Sequence, residues 1–363
     1  MSWTELLCSN LTTAEELQDY LHLGDKDYQL LLSILERFPM SVTRYYLSLI
    51  DWKDENDPIR RMCIPSIHEI DMDGSFDTSG EAGNTIMEGL QHKYRESAMI
   101  LSTNQCASYC RYCFRRRMVG ITDSEIALHY LDGIMDYIEN HSEISNVLIS
   151  GGDALLNSNR RLARYLDRLT TIDHLDFIRI GTRVPVVFPM RITDDPELLE
   201  LLTYYKQRKQ IYVITHFNHP REITPESTAA IRALLHIGIP VRNQTVFLHG
   251  VNDDAQVLGT LLKKLTSVGV LPYYLFQCRP VIGVKSQFQV PLKTGYSIVE
   301  AAKNMQNGVG KNFRFVLSHE TGKIEILGLL EDGSMLFKYH QAKDPANAGR
   351  IFTRHLDENE CWL

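Results

Sequence analysis

From about residue 95 onward, short apolar runs alternate with segments of helical periodicity, and this alternation constrains the fold most strongly. The runs lie at 98–102, 147–150, 178–181, 211–215, 241–248 and 273–276, and helical segments between them include 125–140, 160–171 and 226–236. Repeated strand–helix units favour a parallel sheet covered by helices. We therefore predict an α/β fold whose sheet is curled into a full or partial barrel.

The segments on either side of this region have a different pattern of apolar and polar residues. Residues 1 to about 85 carry helical patterns, with a capping signal at 12–16, and lead through a polar loop into the barrel. From residue 313, three strand-like runs are separated by Gly322 and by a turn at 331–333. We expect a helical extension over 1–90, the barrel over 91–310 and a small β-rich unit over 311–363.

Three cysteines, Cys106, Cys110 and Cys113, form a C-x3-C-x2-C pattern just after the first apolar run of the barrel. Thiolates at such short spacing can hold three irons of a [4Fe–4S] cluster and leave the fourth iron free to bind a small molecule. A zinc site is the main alternative, although structural zinc usually takes four protein ligands. A disulfide role is not expected, because the remaining cysteines are scattered singly.

Composition and charge exclude several classes of protein. The net charge of −7 gives no general basic character that would indicate nucleic-acid binding. We see no signal peptide and no apolar stretch of the roughly 18 residues that a membrane helix requires. Reduced thiols at a cluster favour a cytoplasmic setting. We therefore expect neither nucleic acid nor a membrane as a partner.

Three motifs directly follow predicted strands: the cysteine run, Gly151-Gly152-Asp153 and the segment 216–219. In parallel barrels the chemistry is carried by loops at the carboxyl ends of the strands. We therefore predict that these motifs form one active site.

The cysteine spacing resembles that of the radical S-adenosylmethionine (SAM) enzymes, and further segments resemble lysine 2,3-aminomutase and its relatives. In the order of that family, the matching segments are 45–51, 57–60, 92–94, 150–153, 181–185, 215–220, 243–244 and 250–253. The resemblance implies a partial (βα)6-type radical SAM barrel that holds a [4Fe–4S] cluster, SAM and pyridoxal 5′-phosphate (PLP). It also implies an isomerase that moves the α-amino group of an amino acid to the β-carbon.

The resemblance assigns the cluster and SAM to particular residues. Cys106, Cys110 and Cys113 would bind the cluster, whose open iron would chelate SAM. His216 and Gln244 would lie near the adenosine, although a neutral histidine after a strand is often structural. The methionine end would be held by Ser150, Gly151, Gly152 and Asp153. Backbone N–H groups of a Gly-Gly turn can approach a ligand closely, but these glycines also fit an ordinary strand-to-helix turn.

The resemblance places the lysine that carries PLP as a Schiff base at Lys323. A lysine amine suits this role because it condenses with an aldehyde. Relatives have a longer glycine-rich run before that lysine, so an exposed lysine at the tip of a β-turn is the alternative. Lys93 and Tyr94 match positions that contact PLP, with Lys93 in place of an arginine.

Two arginines bear on the substrate. Arg115 matches the family residue that pairs with the substrate α-carboxylate; the alternative for residues 115–117 is a solvated basic surface. Lysine-specific relatives neutralise the distal ammonium with two aspartates, and these fall here at Arg279 and near Ser318. An arginine would repel an ammonium but suit a carboxylate. An acidic or otherwise non-lysine amino acid such as glutamate is therefore favoured.

Two other functions stay open at this stage. One is a relative without PLP that performs a different radical reaction, and the other is a lysine 2,3-aminomutase that acts in modification of a translation factor. The expected partners are a small amino acid and a reducing electron donor such as flavodoxin or ferredoxin. Whether the chain forms a homo-oligomer is open as well.

Overall fold

The computed structural model describes residues 2–120 and 129–363, and in this part of the chain twelve strands form one sheet in sequence order. The predicted helix at 125–140 lies partly outside the described residues. The strands are β1 (Thr85–Met87), β2 (Leu90–Tyr94), β3 (Ser97–Thr103), β4 (Asn146–Gly151), β5 (Phe177–Gly181), β6 (Gln210–Thr215), β7 (Val241–Phe247), β8 (Leu271–Gln277), β9 (Arg314–His319), β10 (Gly322–Leu329), β11 (Met335–Ala342) and β12 (Ile351–Arg354).

The middle of the sheet is parallel and its two margins are antiparallel. Strands β3 to β9 pair in parallel, each with the next, whereas β1–β2–β3 and β9–β10–β11–β12 pair antiparallel. The sheet is curled, because Nζ of Lys93 on β2 donates to the carbonyl of His319 on β9 at 2.6 Å. The two margins therefore meet across the interior of a partial barrel.

Helices connect the parallel strands and precede the sheet. Those before β1 are Trp3–Cys8, Ala14–Leu21, Asp25–Arg37, Arg44–Leu47 and Pro58–Cys63. Those after β3 include Leu131–Glu139, Asn159–Leu169, Val184–Val187, Met190–Thr193, Pro196–Lys206, Pro225–His236, Ala255–Ser267, Lys285–Phe288 and Leu292–Asn304.

Local sequence explains where these elements begin and which face they bury. Thr13 caps the helix Ala14–Leu21 in a capping box with Glu16, as its sequence signal predicts. The helix Asn159–Leu169 buries one apolar stripe (Leu162, Tyr165, Leu166 and Leu169). Strand β7 alternates buried and partly exposed residues, so one face packs outward on helices and the other lines the barrel.

Apolar residues form two core clusters. The larger lies between the parallel strands and their helices and includes the helical segment before β1. The smaller joins β8–β11 to the helices Ala255–Ser267 and Leu292–Asn304, and Trp362 packs against it. Both ends of the chain are thus attached to the barrel by apolar packing.

The predicted α/β barrel-like class is confirmed. The division into 1–90, 91–310 and 311–363 stays a prediction. One continuous sheet includes strands on both sides of each boundary. Strands β1, β2 and β12 were not predicted, and the C-terminal unit extends the sheet rather than forming a separate hairpin. No helix in the described ranges is long and apolar enough to cross a membrane.

Candidate active site

The three predicted cluster cysteines follow β3 and line one small cavity of about 40 Å³. All three are free thiols. Within residues 2–120 and 129–363, no three His, Cys, Asp or Glu side chains converge in a way that would hold a single metal ion. The cysteine loop presents its three sulfur atoms to this one cavity, although they do not converge on a single point.

Burial controls the protonation of two of these thiols. It raises the pKa of Cys113 to about 11 and that of Cys106 well above its ordinary value, so both are neutral without a metal. A coordinated metal deprotonates its thiol ligands. Sulfur donors around a partly enclosed space fit an iron–sulfur cluster, which is held by cysteine thiolates.

The Gly151-Gly152 pair packs directly against the cysteine loop. Gly151 has φ +114°, and a Cβ on it would lie 2.4 Å from the Thr103 carbonyl oxygen; on Gly152 it would lie 2.2 Å from that of Gln105. The N–H of Gly152 donates to the Thr103 carbonyl at 2.6 Å, and the N–H of Asp153 to that of Gln105 at 2.7 Å. These two N–H groups therefore hold the cysteine loop, and contact of residues 150–153 with the methionine end of SAM stays a prediction.

The Asp153 carboxylate is fully engaged by the protein. Its Oδ1 accepts from the Thr182 hydroxyl at 2.5 Å and its Oδ2 from the backbone N–H of Arg183 at 2.7 Å. Burial raises its pKa, against the hydrogen bonds that lower it. Asp153 therefore ties the loop after β4 to the segment after β5, a positioning role.

Arg183 links several parts of the predicted site. Its Nη1 donates to Sγ of Cys110 at 3.0 Å, its Nε to the His216 carbonyl at 3.2 Å, and its Nη2 to Oε1 of Glu222 at 2.6 Å. It sits in the segment 181–185 of the family resemblance, but nothing in the sequence showed that it would reach a cysteine. We therefore count it as a site residue that sequence reasoning missed.

His216 and Gln244 are the residues predicted to lie near the adenosine of SAM. His216 directly follows β6, and burial together with the charge of Arg183 lowers its pKa to about 4, so its imidazole is neutral. Gln244 lies on β7 opposite Tyr274 of β8, and Ser150 lies near the end of β4. The strand before His216 and the strand that carries Gln244 are thus neighbours, whereas β5 lies between the strand of Ser150 and that of His216. Contact of these residues with SAM stays a prediction.

Lys323 is the second residue of β10, and its side chain enters the barrel rather than standing at a turn tip. Its Nζ donates to Oε1 of Gln341 at 2.6 Å and lies 5.0 Å from the ring centroid of Tyr94 and 5.1 Å from that of Tyr274. Burial and the charges of nearby cations lower its pKa to about 7. The alternative of an exposed turn lysine is therefore wrong.

Lys93 and Tyr94 stand beside this lysine. Lys93 donates to the backbone carbonyls of His319 and Ser79, and burial lowers its pKa to about 8. The Tyr94 hydroxyl is buried without a hydrogen-bond partner in the described part of the chain. An amine nucleophile next to an unpartnered donor fits PLP, which needs both a lysine and polar contacts.

Two buried glutamates form ion pairs with the arginines that lie within and just after the cysteine run. Glu81 pairs with Arg115 at 2.8 Å and with Arg117 at 2.5 Å. Glu69 pairs with Arg111 and Arg116. Arg115 is only 8% exposed, so the alternative of a solvated basic surface is wrong. The glutamates stand far from the arginines in sequence, which is why sequence reasoning missed them.

Arg279 lies in the same interior as Lys323. Its Nη2 donates to the hydroxyl of Ser318 at 2.8 Å, and Ser318 is the cross-strand neighbour of Lys323. Its Nη1 is buried with no hydrogen-bond partner among the described residues. Burial lowers its pKa to about 10, so it is charged at neutral pH. Arg279 and Ser318, near which the resemblance places the two lysine-binding aspartates, are therefore in contact.

Comparison with known proteins agrees with this geometry. Residues 100–258 match the Radical SAM superfamily. The chain is 41% identical to a protein of Aquifex aeolicus proposed to be an L-lysine 2,3-aminomutase, over 94% of this chain and 91% of the relative. It is 40% identical to L-lysine 2,3-aminomutase of Acetoanaerobium sticklandii over 84% and 73%, and 36% identical to glutamate 2,3-aminomutase of Clostridioides difficile over 84% and 71%.

Identity at this level over most of both chains reaches well beyond the cysteine loop. It includes the barrel strands and the loops that carry Gly151, Arg183 and His216. The chain belongs to the lysine 2,3-aminomutase family of radical S-adenosylmethionine enzymes, and it is an isomerase of that family.

Proposed function

We propose that this protein is a PLP-dependent 2,3-aminomutase for an amino acid with an acidic side chain, glutamate being the best candidate. The observation that carries this proposal is Arg279, whose Nη2 donates to Ser318 and whose Nη1 is buried with no hydrogen-bond partner among residues 2–120 and 129–363. A buried, charged group without a partner is costly unless a ligand of opposite charge completes it. The distal carboxylate of glutamate would do so.

The charge of the whole interior supports the same substrate class. Lys93, Arg115 and Arg279 are cationic, and Glu81 is engaged by Arg115 and Arg117. A lysine substrate would add a further ammonium to this group, and like charges repel strongly where water is scarce. A dicarboxylic amino acid would be neutralised at both ends.

Attachment of PLP at Lys323 is the second part of the proposal. A lysine that is neutral near pH 7 is a nucleophile, and the pKa of Lys323 is lowered to about 7. PLP, when bound there, would hold the migrating amino group, while the cluster and SAM would supply the radical. This environment favours PLP over the alternative of a PLP-free relative.

The chain's own residues then bind, orient and shield the substrate. Arg115 would grip the α-carboxylate and Arg279 the distal carboxylate, so the β-carbon is held at one position. Tyr94 and Tyr274, which flank Lys323, exclude water from the amine. Fixed positioning is essential because a carbon radical reacts with any nearby hydrogen.

The test of substrate class is an anaerobic assay of the reconstituted enzyme with glutamate, aspartate and lysine, followed by analysis for β-amino products. We expect glutamate to be converted. In Arg279→Met we expect kcat/KM for glutamate to fall by roughly 100-fold, because losing one partner of a buried charge pair typically costs about 2–5 kcal/mol. Arg354→Met, at an exposed position of β12, is the matched control and should retain activity.

Preferential conversion of lysine would contradict the acidic-substrate proposal and support the lysine alternative. PLP binding is tested separately by visible absorbance of protein supplied with the cofactor. We expect Lys323→Ala to lose this absorbance while it keeps its iron, and exposed Lys311→Ala to keep both. Absence of bound PLP in the wild type would support a different radical reaction.

The remaining parts of the proposal follow from the chemistry. Reduction of a SAM-bound cluster requires a low-potential donor, for which flavodoxin or ferredoxin is suited. The reduced thiols on which the cluster depends favour the cytoplasm. We also propose that SAM is contacted by residues at the end of β4 and in the loop after it, directly after β6 and on β7, namely Ser150, Gly151, Gly152, Asp153, His216 and Gln244.

A further inference from the structure

Phe114 stands between the two arginines that the proposed function assigns to the substrate. Its ring centroid lies 4.6 Å from Cζ of Arg115 and 4.0 Å from Cζ of Arg279. The ring also packs against the larger core cluster, which holds it in place. The guanidinium groups of two arginines that are distant in sequence thus pack on the same ring.

This arrangement limits how far apart the guanidinium groups can be. Their Cζ atoms cannot be separated by more than the two ring distances taken together. Two unscreened cations would otherwise repel each other, whereas the face of an aromatic ring attracts both. Each arginine is held by further contacts: Arg115 donates to Glu81 and to Sδ of Met99, and Arg279 donates to Ser318.

We propose that Phe114 is a specificity-determining residue that sets the distance between the two carboxylate-binding arginines and so selects the length of the dicarboxylic amino acid. This inference rests on the proposed function. Aspartate, glutamate and 2-aminoadipate carry the same two carboxylates and differ by one methylene at each step. A site with its two cations at a fixed separation accepts one of these lengths at both ends and strains or loses contact with the others.

The role of Phe114 is one of positioning, because the ring acts through the arginines. A single methylene mismatch in a fitted site is typically worth about 10- to 200-fold in discrimination. We therefore expect the wild type to bind glutamate at least ~10-fold more tightly than aspartate or 2-aminoadipate. Phe114→Leu keeps an apolar side chain but removes the ring face, so it frees the arginines from each other.

The test is calorimetric binding of the three amino acids, and of lysine for comparison, to protein carrying cluster, SAM and PLP, without reductant, so that no turnover occurs. In Phe114→Leu we expect the preference for glutamate to shrink to about 3-fold or less, well below the discrimination typical of a fitted site. Phe114→Tyr keeps the ring face and should retain the wild-type preference. Iron content and the cluster absorbance, measured in both variants, show that the neighbouring Cys113 still binds.

The outcomes separate this inference from the proposed function. If the wild type selects glutamate and Phe114→Leu selects it equally well, the inference is overturned and the proposed function stands. Equal binding of all three amino acids to the wild type would have the same meaning. If the wild type binds lysine more tightly than any of them, the acidic-substrate proposal is wrong and the role of Phe114 is overturned with it.

Discussion

At the scale of single residues, the environment of Lys323 shows how the fold prepares one amine for chemistry. The side chain lies between the rings of Tyr94 and Tyr274, and Arg179, Lys93 and Arg279 are the cations that disfavour its charged form. An ordinary lysine is almost fully protonated at neutral pH. Burial and like charges therefore act together to expose the nitrogen lone pair.

The pKa of Lys323 predicts how PLP capture depends on pH. Because the pKa is lowered to about 7, the amine is protonated below pH 7 and neutral above it. We expect the rate of PLP capture, followed by visible absorbance after mixing, to rise up to about pH 7 and then to level off. An ordinary lysine would continue to gain roughly tenfold per pH unit up to its usual pKa of about 10.4.

Lys323→Ala supplies the background rate for this measurement, because any capture it shows belongs to other lysines. A wild-type rate that still rises steeply between pH 8 and pH 9.5 would show that the amine keeps an ordinary pKa.

At the scale of elements, the loop after β4 holds the cysteine loop in place through backbone hydrogen bonds. The carbonyls of Thr103 and Gln105 accept from the N–H groups of Gly152 and Asp153, and the two glycines allow this close approach. A side chain at either position would push the two loops apart. The glycine pair is thus explained by packing between loops.

Gly152→Ala tests this explanation. The added Cβ would lie 2.2 Å from the Gln105 carbonyl oxygen, so the loops must separate, and overpacking of this kind typically costs about 1–3 kcal/mol. We expect a lower thermal midpoint and reduced iron content after reconstitution. Gly308→Ala is the matched control, because no atom lies within 4 Å of its added Cβ. Full iron loading in Gly152→Ala at an unchanged midpoint would contradict the explanation.

Elements were predictable from sequence where their side chains pack on the core. Strands β3 to β8 read as apolar runs because helices cover their outer face. Strand β2 was missed because polar residues interrupt its pattern: Lys93 and Tyr94 lie near β9 and Lys323, whereas His92 contacts Tyr137 of the helix Leu131–Glu139. Strand β12 was missed because it is an exposed edge strand. Function and exposure therefore removed the pattern on which such predictions depend.

The site was predictable to a similar, limited extent. Residue type and spacing are enough to identify the cysteine loop, the glycine pair and Lys323 as candidates. Arg183 and Glu81 do not, because an arginine or a glutamate in isolation is typical of any surface. Only the curled sheet and the loops that follow its strands bring them to the cysteines and to Arg115.

At the scale of the whole molecule, one sheet links the helical extension, the barrel and the C-terminal strands. The extension packs into the larger core cluster, and the C-terminal strands share the smaller cluster with helices that cover β8. Apolar contacts thus cross both boundaries between these parts. We therefore expect the chain to unfold as one unit.

The three tryptophans of the chain allow this to be measured. Trp52 stacks on Tyr20 at 4.4 Å in the extension, and Trp362 packs against the C-terminal cluster. In variants that keep only one of them, we expect urea transitions followed by fluorescence to have the same midpoint. Chains of this size often show separate transitions, so midpoints that differ by more than about 0.5 M would mark independent units.

The order of strands in the sheet has a consequence for synthesis on the ribosome. Each strand pairs with the one made just before it, so the sheet can grow as the chain emerges. The loop that carries the cysteines gains its glycine partner once β4 is complete. Lys323 arrives later, on β10, and meets Tyr94 of β2 only then. A nascent chain can thus form the contact between the glycine pair and the cysteine loop well before it completes the surroundings of Lys323.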